Sequence, residues 1–119
     1  MRVKCKSSPE SRAAKQTVYP WLTVGREYAV LSVVCDPSQG VLLRLVGNDN
    51  HTPGLFSVQF FDVTESSVPP HWVVRKDEGG GFRFGPPKLL ESGFWQRFFE
   101  GDQAAVEVFS KEVARTSER

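Results

Sequence analysis

The chain has 119 residues, with 39% apolar and 24% charged side chains and a net charge of +1. That is enough for one globular domain with its own core, and it excludes a wholly disordered chain. No apolar run approaches the ~20 residues that a membrane span requires, and the opening MRVKCKSS has charge but no apolar core behind it, so no secretory signal is expected.

Arg2 to Lys6 alternates, with Val3 and Cys5 on one face and Arg2, Lys4 and Lys6 on the other, as a half-buried strand does. Residues 7–17 are polar and aperiodic and read as a surface loop, after which Val18, Tyr19, Trp21 and Leu22 return to the core past Pro20. After a turn at Gly25, Glu27 to Cys35 reads as the central strand. Tyr28, Val30, Leu31, Val33 and Val34 make both its faces apolar, so packing is expected on each side.

Asp36 to Gly40 has the residues of a reversing loop, and the chain returns as a strand over 41–47 in which Arg44 is the one charge. The cluster from Gly47 to Gly54 is the strongest turn signal. Residues 55–63 read as a strand whose alternation breaks near Gln59 to Phe61, where a bulge or tight turn is expected. Strands over 71–75 and at Phe82 to Phe84 follow, separated by Asp77-Glu78-Gly79-Gly80-Gly81, and Gly85-Pro86-Pro87 ends the β part.

The remainder is helical. Ser92 is placed to cap a short helix whose Phe94, Trp95, Phe98 and Phe99 form one broad apolar face, and Gly101 stops it. Trp95 and Phe98 are expected to dock on the sheet, with Phe94 and Phe99 at the rim; rings left exposed would serve a homo-oligomer. Asp102 caps a second helix with Ala105, Val106, Phe109 and Val113 on one stripe and a Glu107–Lys111 pair, fraying from Thr116 to Arg119. These elements form a single domain over 1–119, with a β part over 1–87 and a helical tail over 88–115 packed on it.

Three segments carry a resemblance. They are Val3-Lys4-Cys5, Leu22-Thr23-Val24-Gly25-Arg26-Glu27-Tyr28 followed by Val30-Leu31, and Asn48-Asp49 leading through Pro53-Gly54-Leu55-Phe56 to Phe61 and Val63. Together they resemble a group of small bacterial and phage proteins with an SH3-like β-barrel and no assigned enzymatic activity. The resemblance covers residues 3–63 and implies a fold, not a function. The expected class is therefore α+β: a small, strongly bent antiparallel sheet or SH3-like β-barrel with one or two carboxyl-terminal helices.

Chemistry is sparsely signalled. Cys35 with His51 or His71 has the residue types of a nucleophile pair but no local signature. Cys5, Cys35, His51 and His71 are spaced too widely for a structural zinc site, whose ligands come as close pairs. Gly79-Gly80-Gly81 leads into a strand, where a phosphate loop needs a helix. Asp77-Glu78 reads as solvated. No catalytic residue, metal site or cofactor is assigned, and an enzyme is not expected. Both cysteines lie within or beside apolar strands and are expected to be buried free thiols, which points to the cytoplasm.

Binding is the stronger expectation. Trp21, Trp72, Phe82 and Phe84, with Arg75, Lys76 and Arg83 close by in sequence, are the candidate residues, Trp72 and Phe82 foremost because each adjoins a charged loop. The leading function is a protein–protein interaction module, a class that includes small bacterial immunity proteins that neutralise another protein. Charge supplies the alternative: residues 1–26 carry six basic side chains against one acid. Arg2, Lys4 and Lys6 would then form the contact strip for nucleic acid.

Overall fold

A computed structural model describes residues 1–6 and 21–117. The expectations for the 7–17 loop and for Val18 and Tyr19 fall outside the described residues. Among the described residues seven antiparallel strands form, in chain order: β1 (Arg2–Cys5), β2 (Glu27–Asp36), β3 (Gly40–Val46), β4 (Pro53–Ser57), β5 (Phe61–Glu65), β6 (Val73–Lys76) and β7 (Phe82–Gly85). Two helices follow, α1 (Phe94–Phe99) and α2 (Gln103–Ser117). The chain is thus an α+β protein in which helices follow an antiparallel sheet.

β2 is the axis. Its ten residues pair along one edge with β3, from Val30↔Leu45 to Asp36↔Gly40. The other edge is divided: β1 takes the first part, with Arg2↔Ala29 and Lys4↔Glu27, and β7 takes the last, with Val33↔Phe84 and Cys35↔Phe82. The register slips between Val30 and Ser32, so Leu31 and Ser32 both turn outward before Val33 returns to the inner face. The main path runs β4-β3-β2-β1-β5, and β4 and β5 do not pair with each other among the described residues. The sheet is open, not a closed barrel.

The apolar pattern on both faces of β2 produces two cores. On the inner face, Val3, Cys5, Tyr28, Val30, Leu43, Leu45, Phe60 and Phe61 pack together. On the outer face, Leu31 meets the tail through Leu89, Phe94, Ala105 and Phe109, with Trp95, Phe98 and Val113 around them. Residues 55–63, read as one strand with an interruption, are two strands joined by a 3-10 turn at Val58–Phe60, where the Ser57 hydroxyl accepts the Gln59 N–H at 3.4 Å. That turn carries the chain from the β3 side to the β1 side and buries both Phe60 and Phe61.

The tail departs from expectation at its start. Gly93, not Ser92, is the N-cap of α1; it is left-handed (φ 78°) and supplies no side-chain cap. With the helix entered that way, Phe94 is the deepest ring, at 2% exposure, rather than a rim residue. Trp95 and Phe98 do dock, edge-on to one another at 5.7 Å and both against Phe109, while Phe99 is exposed. Glu107 bonds Gln103 at 3.2 Å instead of Lys111, and α2 runs on through Thr116 and Ser117. No helix among the described residues is long and apolar enough to cross a membrane.

Candidate functional site

β7 and β6 carry the sheet sideways beyond the β1–β5 part. Register places Val74, Phe84 and Val33 in one cross-strand row of the inner face, and Lys76, Phe82 and Cys35 in the next. Toward β1 that face is closed by the inner core. Toward β6 it is left partly open: Val74 is 58% exposed and Phe82 42%. Val68, in the segment leading to β6, adds a further exposed apolar side chain. Val33, Val68, Trp72, Val73, Val74 and Phe84, with Met1, line a groove of about 300 Å³ here.

Trp72 is half-buried against the inner core, and its indole N–H is enclosed with no acceptor among the described residues. An enclosed donor without a partner costs about 1–3 kcal/mol. The β6–β7 turn is held by the Asp77 N–H donating to the Gly81 carbonyl at 2.8 Å. Gly81 is glycine for lack of room: a Cβ would lie 2.3 Å from the Cys35 carbonyl oxygen. Gly85 likewise sits against Ser32, where a Cβ would come within 2.7 Å of the serine's own Cβ. These two close approaches press β7 onto β2 and fix the height of the apolar rows.

Of the binding candidates, the structure brings Trp72, Phe82 and Phe84 to this face, with Lys76 in the Phe82 row. Arg75 and Lys76 are exposed on β6 and form no ion pair among the described residues. Arg83 is different. Its Nε donates to Asp77 Oδ1 at 2.7 Å and its Nη1 to the Leu90 carbonyl at 3.1 Å, so it fastens the hairpin to the turn at Pro87–Leu90. Trp21 does not line the groove; its carbonyl accepts the Asn48 N–H at 2.6 Å, across Gly47.

The basic strip along β1 alternates as expected, Val3 and Cys5 inward and Lys4 and Lys6 outward. Acids interleave it, however. Arg2 meets Glu27 at 3.6 Å, Lys6 meets Asp62 at 3.2 Å, and the amino-terminus meets Glu65 at 3.5 Å. Hydrogen bonding from Ser67, with the amino-terminus adjacent, holds the Glu65 carboxyl below its ordinary range.

Cys5 is buried, and that burial pushes its thiol up, whereas Cys35 is only half-buried, contrary to expectation. Both are free thiols. Neither histidine is placed on Cys35: His51 Nδ1 lies 2.9 Å from the Asp49 carbonyl, and His71 Nε2 lies 3.2 Å from Glu112 Oε1. Among the described residues no three His, Cys, Asp or Glu side chains gather as a metal site.

The His71–Glu112 contact escaped the sequence reading because 41 residues separate the partners. Glu112, only 8% exposed, also has Arg115 at 3.9 Å, and it ties the Pro69–His71 segment to α2. Its signal was an acid three residues past Phe109, on the apolar face of the helix. Arg44 is the second such feature, a guanidinium 4.3 Å above the Trp95 ring with an enclosed Nε that has no acceptor among the described residues. The chain matches no protein-family model, no curated protein and no solved structure.

Proposed function

We propose that this protein is a non-catalytic protein-binding module whose contact surface is the inner face of β6 and β7. One observation carries the reading: Val68, Val74 and Phe82 are all exposed, and all lie on or beside one sheet extension next to half-buried Trp72. Apolar side chains gathered at one place mark a contact surface, where scattered ones do not. Lys76 supplies a polar rim.

The small antiparallel sheet in which β2 serves both β1 and β3 supports an SH3-like reading of the first five strands, with the open β4–β5 side as its departure. Two unpaired cysteines support a reducing, cytoplasmic setting. With the bacterial and phage resemblance, a neutraliser of another protein is the role such a binder would fill. The acids interleaved along β1 weigh against the nucleic-acid alternative, since a contact strip needs uncompensated cations.

The test is a Val74→Ser/Phe82→Ser variant, checked for an unchanged fold by circular dichroism. Wild type and variant are used to capture partners from the native host, and a partner so identified is purified and titrated against both. The expected result is at least tenfold weaker binding by the variant. A partner that binds both forms equally refutes this surface, and a shift of duplex or single-stranded nucleic acid by wild type at low salt would favour the alternative.

A further inference from the structure

The proposed face has an edge as well as a surface. β6 pairs only with β7 among the described residues, so the backbone groups along its other side are open. Such an edge is a template for another strand. Resting on the binding-module reading, we propose that β6 accepts an added β-strand from the partner. That strand carries two adjacent carboxylates, facing Arg75 and Lys76, next to a large apolar side chain facing Val74.

The other two edges left unpaired among the described residues suit this less well. β4 opens with Pro53, which has no N–H to give, and Gly54. β5 carries Asp62 and Glu65, already tied to Lys6 and the amino-terminus. Among the described residues, β6 alone combines an open edge, two cations without ion pairs and an apolar groove alongside.

Alternation then dictates what the incoming strand must look like. Val74 and Lys76 share the inner face, and Arg75 lies on the outer one. A residue opposite Val74 is on the groove side, about 5 Å away, and a large apolar side chain there fills the space beside Val68 and Trp72. The residue opposite Arg75 faces outward and the one opposite Lys76 faces inward, and each meets a cation with no ion pair among the described residues. A second copy of this chain does not fit, because edge-to-edge pairing would gather both copies' Arg75 and Lys76 on one four-residue ladder. Main-chain hydrogen bonds provide the affinity in this mode, and the charges and groove provide the selection.

The probe is an array of capped nonapeptides built from Val, Ile, Thr and Tyr around two carboxylates followed by a fixed leucine, the order an antiparallel strand presents to Lys76, Arg75 and Val74, with the reverse order included for a parallel one. Matched arrays carry two glutamines or two lysines instead. The intact protein should retain acidic peptides over both controls, and anisotropy titration of the best should show binding that weakens with salt. The Arg75→Glu/Lys76→Glu variant should bind them about tenfold less well, on the scale of two exposed ion pairs, and should prefer the lysine array. N-methylation of alternate amides along one edge of the peptide should abolish binding, while methylation along the other edge leaves it intact.

The inference is overturned if acidic peptides bind no better than the glutamine set, or if charge reversal or methylation of either edge makes no difference. If capture of a partner is lost in Val74→Ser/Phe82→Ser but the arrays are silent, strand addition is wrong and the binding face stands. If neither responds, both readings fall.

Discussion

Replacing Arg44 with methionine should stabilise the protein. Arg44 is an outward residue of β3, paired with Ser32 and Leu55 and covered by Trp95. Burial pulls its guanidinium down to about 10 from 12.5. At ~1.4 kcal/mol per tenfold change in protonation, the charge costs the fold about 3 kcal/mol. The Trp95 ring, 4.3 Å away, returns up to ~2 kcal/mol, the value for a desolvated cation–π contact. The balance is unfavourable by about 1 kcal/mol, and the enclosed Nε, without an acceptor among the described residues, acts in the same direction. Methionine keeps most of the volume, and its sulfur still meets the indole.

Thermal unfolding followed by calorimetry should therefore show the Arg44→Met variant melting about 4 °C higher, the shift that ~1 kcal/mol produces in a domain of this size. The pH dependence supplies a second readout. The folded state holds this proton less tightly than the unfolded chain does, so the penalty is complete at neutral pH and is relieved as pH rises through about 10. Wild type should gain on the variant along that alkaline limb. A double-mutant cycle with Trp95→Leu isolates the ring contact, with ~1–2 kcal/mol of coupling expected. If Arg44→Met melts several degrees lower than wild type, the guanidinium stabilises the outer core and the reasoning fails.

Phe94→Ala should cost about 3–5 kcal/mol, as deletion of a fully buried ring does, whereas Phe99→Ala should stay within ~0.5 kcal/mol; equal losses in urea titrations would contradict the order of burial. Toward an aromatic disulfide reagent, Cys35 should react in the folded protein and Cys5 only on unfolding, so that Cys35→Ser leaves the slow phase alone. The Thr52 hydroxyl, followed by the Thr52 and His51 N–H groups, holds the Asp49 carboxyl at about 2, below its ordinary value. Its stabilising contribution is present above about pH 4 and is lost as pH falls through 2, so Asp49→Ala should flatten the acid limb of stability against pH; an unchanged limb would show the turn is held otherwise.

What could be read from the sequence was what periodicity encodes. Val3 and Cys5 alternate and are buried; β2 is apolar on both faces and feeds two cores; the Gln59 to Phe61 irregularity is a turn. Contacts between distant residues carry no periodic signal. Arg83 looked like a surface cation because nothing local announces that Asp77 and the Leu90 carbonyl take its donors. Phe94 and Phe99 were interchangeable on a helical wheel until Gly93, by entering the helix left-handed, set the deeper one. Trp72 and Phe82 stood out for their charged neighbours, and the fold places both on one face; their partners Val33, Val68 and Val74 follow only from strand register.

The position of that face follows from a mismatch in length. β2 has ten residues and β1 has four, so β1 covers only the first part of the edge they share. The uncovered part, Val33 to Cys35, needs hydrogen-bond partners, because a long open edge through the middle of a sheet invites aggregation. β7 supplies them, held close by Gly81 and Gly85. β7 then needs its own neighbour, and β6 takes the place. Among the described residues nothing covers these added strands on the inner side as Tyr28, Phe60 and Phe61 cover Val3 and Cys5 of β1. The apolar rows of β6 and β7 continue the inner core's pattern past the point where the core ends. The candidate surface is thus the part of the sheet's apolar face that the amino-terminal strands are too short to cover.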